Sequence, residues 1–224
     1  MTATDIDVSL AEKFQFEDAD VIIRAGGANF SAHKLILSLA SPVFKHIFSL
    51  PRNESSQEGV PIVEVTEDAQ SIHDVLSLLY PNIDDPNISD LIVMHRVLLA
   101  LRKYEMLKLK ARMARRLERA AWGKSARIFA IACHAGLADT ARAAAQGTLL
   151  LERNTLITSV IPENKKLSAE TFQKLLRYHI ECGEVAQAQA EVQAGVTQNV
   201  ARSDWLWLRF QSDECPEPLI RRHV

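Results

Sequence analysis

Cysteine is scarce in this 224-residue chain: there are three, Cys133, Cys182 and Cys215, and an odd number at such long spacings does not make a disulfide framework. Aromatic residues make up only 6%. Charge interrupts every hydrophobic segment, so no run approaches the roughly 18 to 20 apolar residues that a membrane-crossing helix needs. The opening MTATDIDVSLAEKF is polar and acidic, unlike a secretory leader, and the expected compartment is therefore reducing, cytoplasmic or nuclear. An excess of one charge is also lacking. With 26 basic and 28 acidic side chains the net charge is −2, which gives the chain as a whole no electrostatic case for nucleic acid or an anionic membrane. Glycine-rich phosphate loops, nucleophile elbows and paired-carboxylate settings are missing as well, so no catalytic residue and no cofactor is expected. What remains is 47% hydrophobic and 24% charged, the composition of one large or two small folded domains.

The stretch FSAHKLILSLASPVFKHIF, from Phe30 to Phe48, is apolar with helical spacing but carries Ser41-Pro42 in its middle. Proline lacks an amide donor and pushes the residue before it out of the helical region, so the run is predicted to be two helices. Ser41 suits the N-cap and Pro42 the first position of the second helix. Leu35, Ile36, Leu39 and Ala40 are expected to form the apolar face of the first helix, and Val43, Phe44, Ile47 and Phe48 that of the second.

Around this corner lie short β-branched segments. DVIIR (20–24), the turn Ala25-Gly26-Gly27 and Asn29-Phe30-Ser31 read as a hairpin, and VPIVEV (60–65) as a third strand. Thr66-Glu67-Asp68 opens a helix whose Ile72, Val75, Leu76 and Leu79 share one side until Pro81 stops it. From about Leu91 the periodicity is helical, with Gly136 closing ARIFAIACHAG, and only WLWLRF near the C-terminus looks strand-like again. The expected class is α+β: a small sheet with packed helices, followed by an all-helical region.

Three separated motifs resemble the opening of the BTB/POZ domain: Asp20-Val21-Ile22-Ile23, Phe30-Ser31-Ala32-His33-Lys34 and Leu39-Ala40-Ser41-Pro42-Val43-Phe44. VPIVEVTEDAQSIHDVLSLLYP is similar to the fungal-type version, and Lys103-Tyr104 fits its closing helix. The resemblance covers about residues 14–115 and implies a noncatalytic protein-interaction domain. ARIFAIACHAGLADTARAAAQGTL resembles the BACK-like helical extension of longer adaptors, which sets residues 116–200 apart from a tail at 201–224.

The resemblance also implies sites. Asp20 and Lys34 match positions that line a charged pocket; the alternative is a strand-start cap and a solvated lysine. The family's bridging of a substrate to a cullin scaffold of a ubiquitin ligase implies an interface near the loop 81–90 and the helix through Tyr104, with Ile88, Asp90, Val93 and Tyr104 as candidates; the alternative is that Val93 and Tyr104 belong to the core and Ile88 staples the loop. Cullin-binding members carry a hydrophobic-x-acidic motif there, and Val93-Met94-His95 supplies the hydrophobic residue without the acid. Homodimers of the family use a segment ahead of the first strand, where Leu10, Phe14 and Phe16 are the candidate patch; the alternative is that they cover the domain's own core. The rival reading is a self-associating or transcription-linked scaffold without ligase function.

Other candidates reduce to ordinary structure. His33 is expected to be a packed core histidine. His179 and Cys182 share a helix face as half a zinc site, but neither Cys215 nor Trp205 and Trp207 supply a second close pair, so no metal is expected. The basic run RKYEMLKLKARMARRLERAAWGK has Leu107, Ala111, Ala114, Leu117 and Ala121 at helical spacing, which reads as an amphipathic helix with a solvated basic face.

Overall fold

A computed structural model describes residues 10–50, 59–84, 86, 88–120, 123–158 and 160–193. The chain divides into two compact units, the first ending at Met113 and the second beginning at Ala114.

In the first unit the hairpin forms as expected. Strands β1 (Val21–Ala25) and β2 (Ala28–Ala32) pair antiparallel with Ile23 opposite Phe30. The turn between them is Gly26-Gly27, with φ of +53° and +90°. A side chain at Gly26 would also approach the Ala69 amide nitrogen to 3.0 Å, so the position needs glycine twice over. Strand β3 (Ile62–Glu64) runs parallel to β1 on its other edge with Val63 beside Ile23, giving the order β2-β1-β3. Alternation along β1 buries Val21, Ile23 and Ala25.

The corner is made by helices α1 (Lys34–Ala40) and α2 (Pro42–Ser49), with Ser41 in extended conformation between them. The face that α1 buries is not the expected one. Leu37 is fully buried, whereas Leu35 and Leu39 are 69% and 81% exposed. Each lies two residues, about 200° of helical rotation, from Leu37, and a helix packed on one side cannot bury both sets. On α2, Phe44 is buried, and Val43, Ile47 and Phe48 are half-buried.

Helix α3 (Ala69–Leu79) starts at Asp68, whose carboxylate accepts from the Ser71 amide, and ends at Tyr80 before Pro81. It buries Ile72, Val75, Leu76 and Leu78, leaving Leu79 half-buried. Helix α4 (Leu91–Lys103) buries Leu91, Met94, Val97, Leu98 and Leu101. Helix α5 (Leu107–Arg119) carries the basic run. Its buried residues are Met113, Ala114 and Leu117; Leu107 and Ala111 are exposed, and Ala121 lies outside the described residues.

The second unit is helical throughout its described part: α6 (Ser125–Ala135), α7 (Ala138–Thr148), α8 (Arg153–Thr158), a 3-10 turn (Pro162–Lys166) and α9 (Ala169–Gln193). Gly136 ends α6 in the left-handed conformation, φ +63°. Helices α6 and α7 approach closely because Gly147 has no side chain: a Cβ there would sit 2.6 Å from Ser125 Oγ. Arg127 forks onto the buried Glu163 carboxylate, with Nη2 2.5 Å from Oε1 and Nε 3.1 Å from Oε2. The strand-like WLWLRF and Cys215 lie outside the described residues. No helix among the described residues is long and apolar enough to cross a membrane.

Candidate interaction surfaces

Tyr104 belongs to the interior. It is buried, its ring stacks on Phe44 with centroids 4.6 Å apart, and its carbonyl accepts from Ser41 Oγ at 2.5 Å. Its hydroxyl donates to Glu67 Oε2 at 2.5 Å, while Lys103 Nζ donates to Glu67 Oε1 and Thr66 Oγ1, both at 2.7 Å. Burial works against ionisation of Glu67, but the hydrogen bonds from Lys103 and Tyr104 outweigh it and hold the carboxyl below its usual value. Burial and then the neighbouring Glu67 push the Tyr104 phenol upward, so it remains a donor. Lys103-Tyr104 thus ties α4 to the turn ahead of α3. The expectation of Tyr104 as a partner anchor is corrected: its ring has no free face to offer.

At the start of the sheet, the Asp20 carboxylate accepts from the backbone amide of Lys34 at 2.7 Å. It therefore caps α1 through the main chain, and among the described residues no bond joins it to the Lys34 ammonium. Beside it, the His33 amide donates to Tyr80 Oη at 2.9 Å and Nδ1 lies 3.0 Å from the same oxygen. The Asp18 carboxylate can only accept, so Nε2 donates to its Oδ1 at 3.1 Å, and Nδ1 and the Tyr80 hydroxyl share the remaining bond. Burial raises the Tyr80 phenol, which keeps its proton. His33 also sets the Asp18 carboxyl below its ordinary value by hydrogen bonding.

Phe14 is wholly buried, edge-on to Phe30 at 5.7 Å and to Tyr80 at 6.1 Å, and Phe16 stacks on Tyr80 at 5.1 Å. The proposed dimer patch is corrected accordingly. Phe14 covers the domain's own core, Phe16 is half-buried against it, and Leu10 is half-buried.

The loop before α4 assembles three of the expected interface residues. Ile88 is buried, half-buried Val93 lies on the first turn, and Asp90 caps α4 by accepting from the Ile92 and Val93 amides at 2.7 and 3.2 Å. With Gln70 and Asp74 of α3 they line an open cavity of about 380 Å³. Buried Ile88 is a wall of this cavity and not the protruding anchor expected of it. Sequence reasoning missed Asp74 and Ile92. Asp74 is 4% exposed and its Oδ1 accepts from Gln70 Nε2 at 2.9 Å, a pairing that the i, i+4 spacing could have announced. Ile92 is 54% exposed at the mouth of α4. His95, at the position where the family motif carries an acid, is buried.

In the second unit His179 Nε2 lies 3.1 Å from the carbonyls of Thr148 and Leu151, so the ring nitrogen holds the end of α7. Burial raises the thiol of Cys182, and burial with the Cys182 bond pushes Tyr178 up to about 12. No group of three His, Cys, Asp or Glu side chains among the described residues is arranged to hold a metal ion.

A three-stranded mixed sheet with a capped helical corner, whose polar side chains lock the fold and whose spare apolar residues lie on helix surfaces, has the build of an interaction domain. Residues 10–120 match the family model of the BTB/POZ domain, so the chain carries a BTB/POZ domain, a protein–protein interaction module. No curated protein matches the chain.

Proposed function

We propose that the chain is a noncatalytic adaptor whose BTB/POZ domain, of the fungal type, docks onto a cullin-type ubiquitin-ligase scaffold, while the BACK-like helical region from residue 116 holds a substrate. The observation that carries this reading is the first turn of α4, where Ile92 is exposed and its sequence neighbour Val93, with the capping Asp90, lines the cavity. A partner that covers Ile92 would remove exposed aliphatic surface from water next to a carboxylate-lined recess, a contact that can anchor an interface. With buried His95 in place of the motif's acid, charge recognition on this face falls to Asp90 and Asp74.

Calorimetric titration against a cullin N-terminal domain tests the reading. Ile92→Asp, an exposed position, is expected to weaken binding at least tenfold with the circular dichroism spectrum unchanged. No heat at about 100 μM excludes binding stronger than roughly −5.5 kcal/mol and removes the adaptor role.

A second reading, self-association, is favoured by Leu35 and Leu39, one turn apart and both exposed on α1. Sedimentation that shows a dimer in the parent chain and a monomer in Leu35→Glu/Leu39→Glu supports it. A monomer at micromolar concentration in the parent rejects it.

A further inference from the structure

The cavity between α3 and α4 has two kinds of wall. Pro86, Ile88 and Val93 are apolar; Asp74 and Asp90 are carboxylates, and among the described residues no lysine or arginine lines it. The segment PNIDDPNISD, from which Pro86, Ile88, Ser89 and Asp90 line the cavity, contains no basic residue in its sequence. Asp90 spends Oδ1 on the amides of α4. Asp74 is the unusual member. Its side chain is 5% exposed, and its bonds from Gln70 Nε2 and His73 Nδ1 both end on Oδ1, leaving Oδ2 with no hydrogen bond among the described residues. A largely buried carboxylate whose second oxygen has no bond within the described residues and meets solvent at an open cavity can take a cation from outside.

We propose that this cavity receives a basic side chain, arginine or lysine, from a partner protein: the aliphatic stem lies on Pro86, Ile88 and Val93, and the charged head bonds Asp74 with Asp90 at the rim. The pairing follows from the chemistry of such side chains, which bury their methylenes along apolar surface and keep the charge for a polar end. It rests on the reading of this face as a docking surface, but not on the partner being a cullin.

The probe is the capped peptide acetyl-Gly-Arg-Gly-amide, added to the nitrogen-15-labelled full chain and followed by NMR; the norleucine peptide of matching length is the control. The arginine peptide is expected to give saturable shifts at the amides of Ser89, Asp90 and Val93 and at the Gln70 side-chain amide by about 10 mM, the millimolar range of a single charge-assisted contact. Asp74→Asn should weaken this at least tenfold. Because Asp74 is buried, Ser89→Lys, an exposed substitution that places a competing ammonium at the cavity, should abolish it independently. Equal shifts with the norleucine peptide, no shifts with the arginine peptide, or shifts indifferent to both substitutions would overturn the proposal. A chain that takes the arginine peptide but no cullin keeps the cavity's role and drops the ligase scaffold; binding of cullin without the peptide does the reverse.

Discussion

Ser41→Ala removes one oxygen from the most crowded junction of the first unit. The residue is fully buried. Its backbone closes α1 through its amide to the Leu37 carbonyl at 2.9 Å and opens α2 through its carbonyl, which accepts from the Lys45 amide at 3.0 Å. The substitution leaves both intact. It deletes the two bonds of Oγ: the cap that accepts from the Phe44 amide at 3.1 Å and the bond donated to the Tyr104 carbonyl at 2.5 Å. Loss of an N-cap costs about 1 kcal/mol. Taking the donor from a buried carbonyl costs about 1 to 3 kcal/mol, because a hydroxyl-sized void is too small to admit water in its place. The expected sum is about 2 to 4 kcal/mol, a roughly 30- to 700-fold change in the opening equilibrium.

All three tryptophans, Trp122, Trp205 and Trp207, come after Met113, so fluorescence does not read this unit. Hydrogen exchange with mass spectrometry on peptides spanning 34–50 and 98–110 does. Both peptides should lose protection by that factor, and Ser49→Ala, whose hydroxyl makes an exposed bond to the His46 carbonyl, should change it by less than about 0.5 kcal/mol. Loss confined to 34–50 would refute the cross-link and leave only the cap. A change below about threefold in both peptides, under 0.7 kcal/mol, would refute the whole account.

Phe44→Ala should destabilise the same unit by about 3 to 5 kcal/mol in exchange or urea melts, since the ring is buried against Tyr104 and Phe48. Glu67→Gln should cost about 1 kcal/mol at neutral pH, the small value reflecting the half-exposed Lys103 partner. Because folding lowers the Glu67 pKa, its contribution is present above the ordinary value of 4.5 and fades as pH falls below it, so the melts of parent and variant should converge in acid. In the second unit Gly147→Ala should destabilise by about 1 to 3 kcal/mol despite alanine's better helix propensity, because its methyl meets Ser125; Ser125→Ala in the same chain should recover part of the loss.

The elements set by local chemistry were legible in the sequence. A proline after a serine ends one helix and caps the next whatever surrounds it, and the Gly26-Gly27 turn between β-branched runs leaves few options but a hairpin. Tyr104 reads two ways, as a partner anchor or as core, and Val97, Leu98 and Leu101 precede it at spacings that carry the buried stripe of α4 on to it, the reading its burial bears out. Ile88 shows the opposite limit: a lone isoleucine in a polar loop has no periodicity, and only the packing of the loop decides that it lines a cavity. Asp74 was hidden by its neighbours. An acid between Ile72 and Val75 reads as the solvated side of α3, and although the i, i+4 spacing from Gln70 allows one of the hydrogen bonds that permit its burial, the sequence does not state which way the His73 ring turns.

Helix α1 marks where sequence patterning stops deciding exposure, and the energetics bear on its role. KLILSLA is apolar at five of seven positions, so no period singles out Leu37 as the buried one. Leaving Leu35 and Leu39 in water forgoes up to about 1.5 to 3 kcal/mol each, and a symmetric dimer that covers the pair on both copies would return at most about 6 to 12 kcal/mol. Association costs an estimated 4 to 15 kcal/mol in lost translation and rotation, which leaves little or no surplus. A stable dimer buries roughly 1,200 to 2,000 Å² in total, more than four leucines supply. Phe14 cannot add to that area while it fills the core beside Phe30 and Tyr80. Any dimer held by α1 alone is therefore weak and concentration-dependent, which sedimentation across a range of concentrations reads directly.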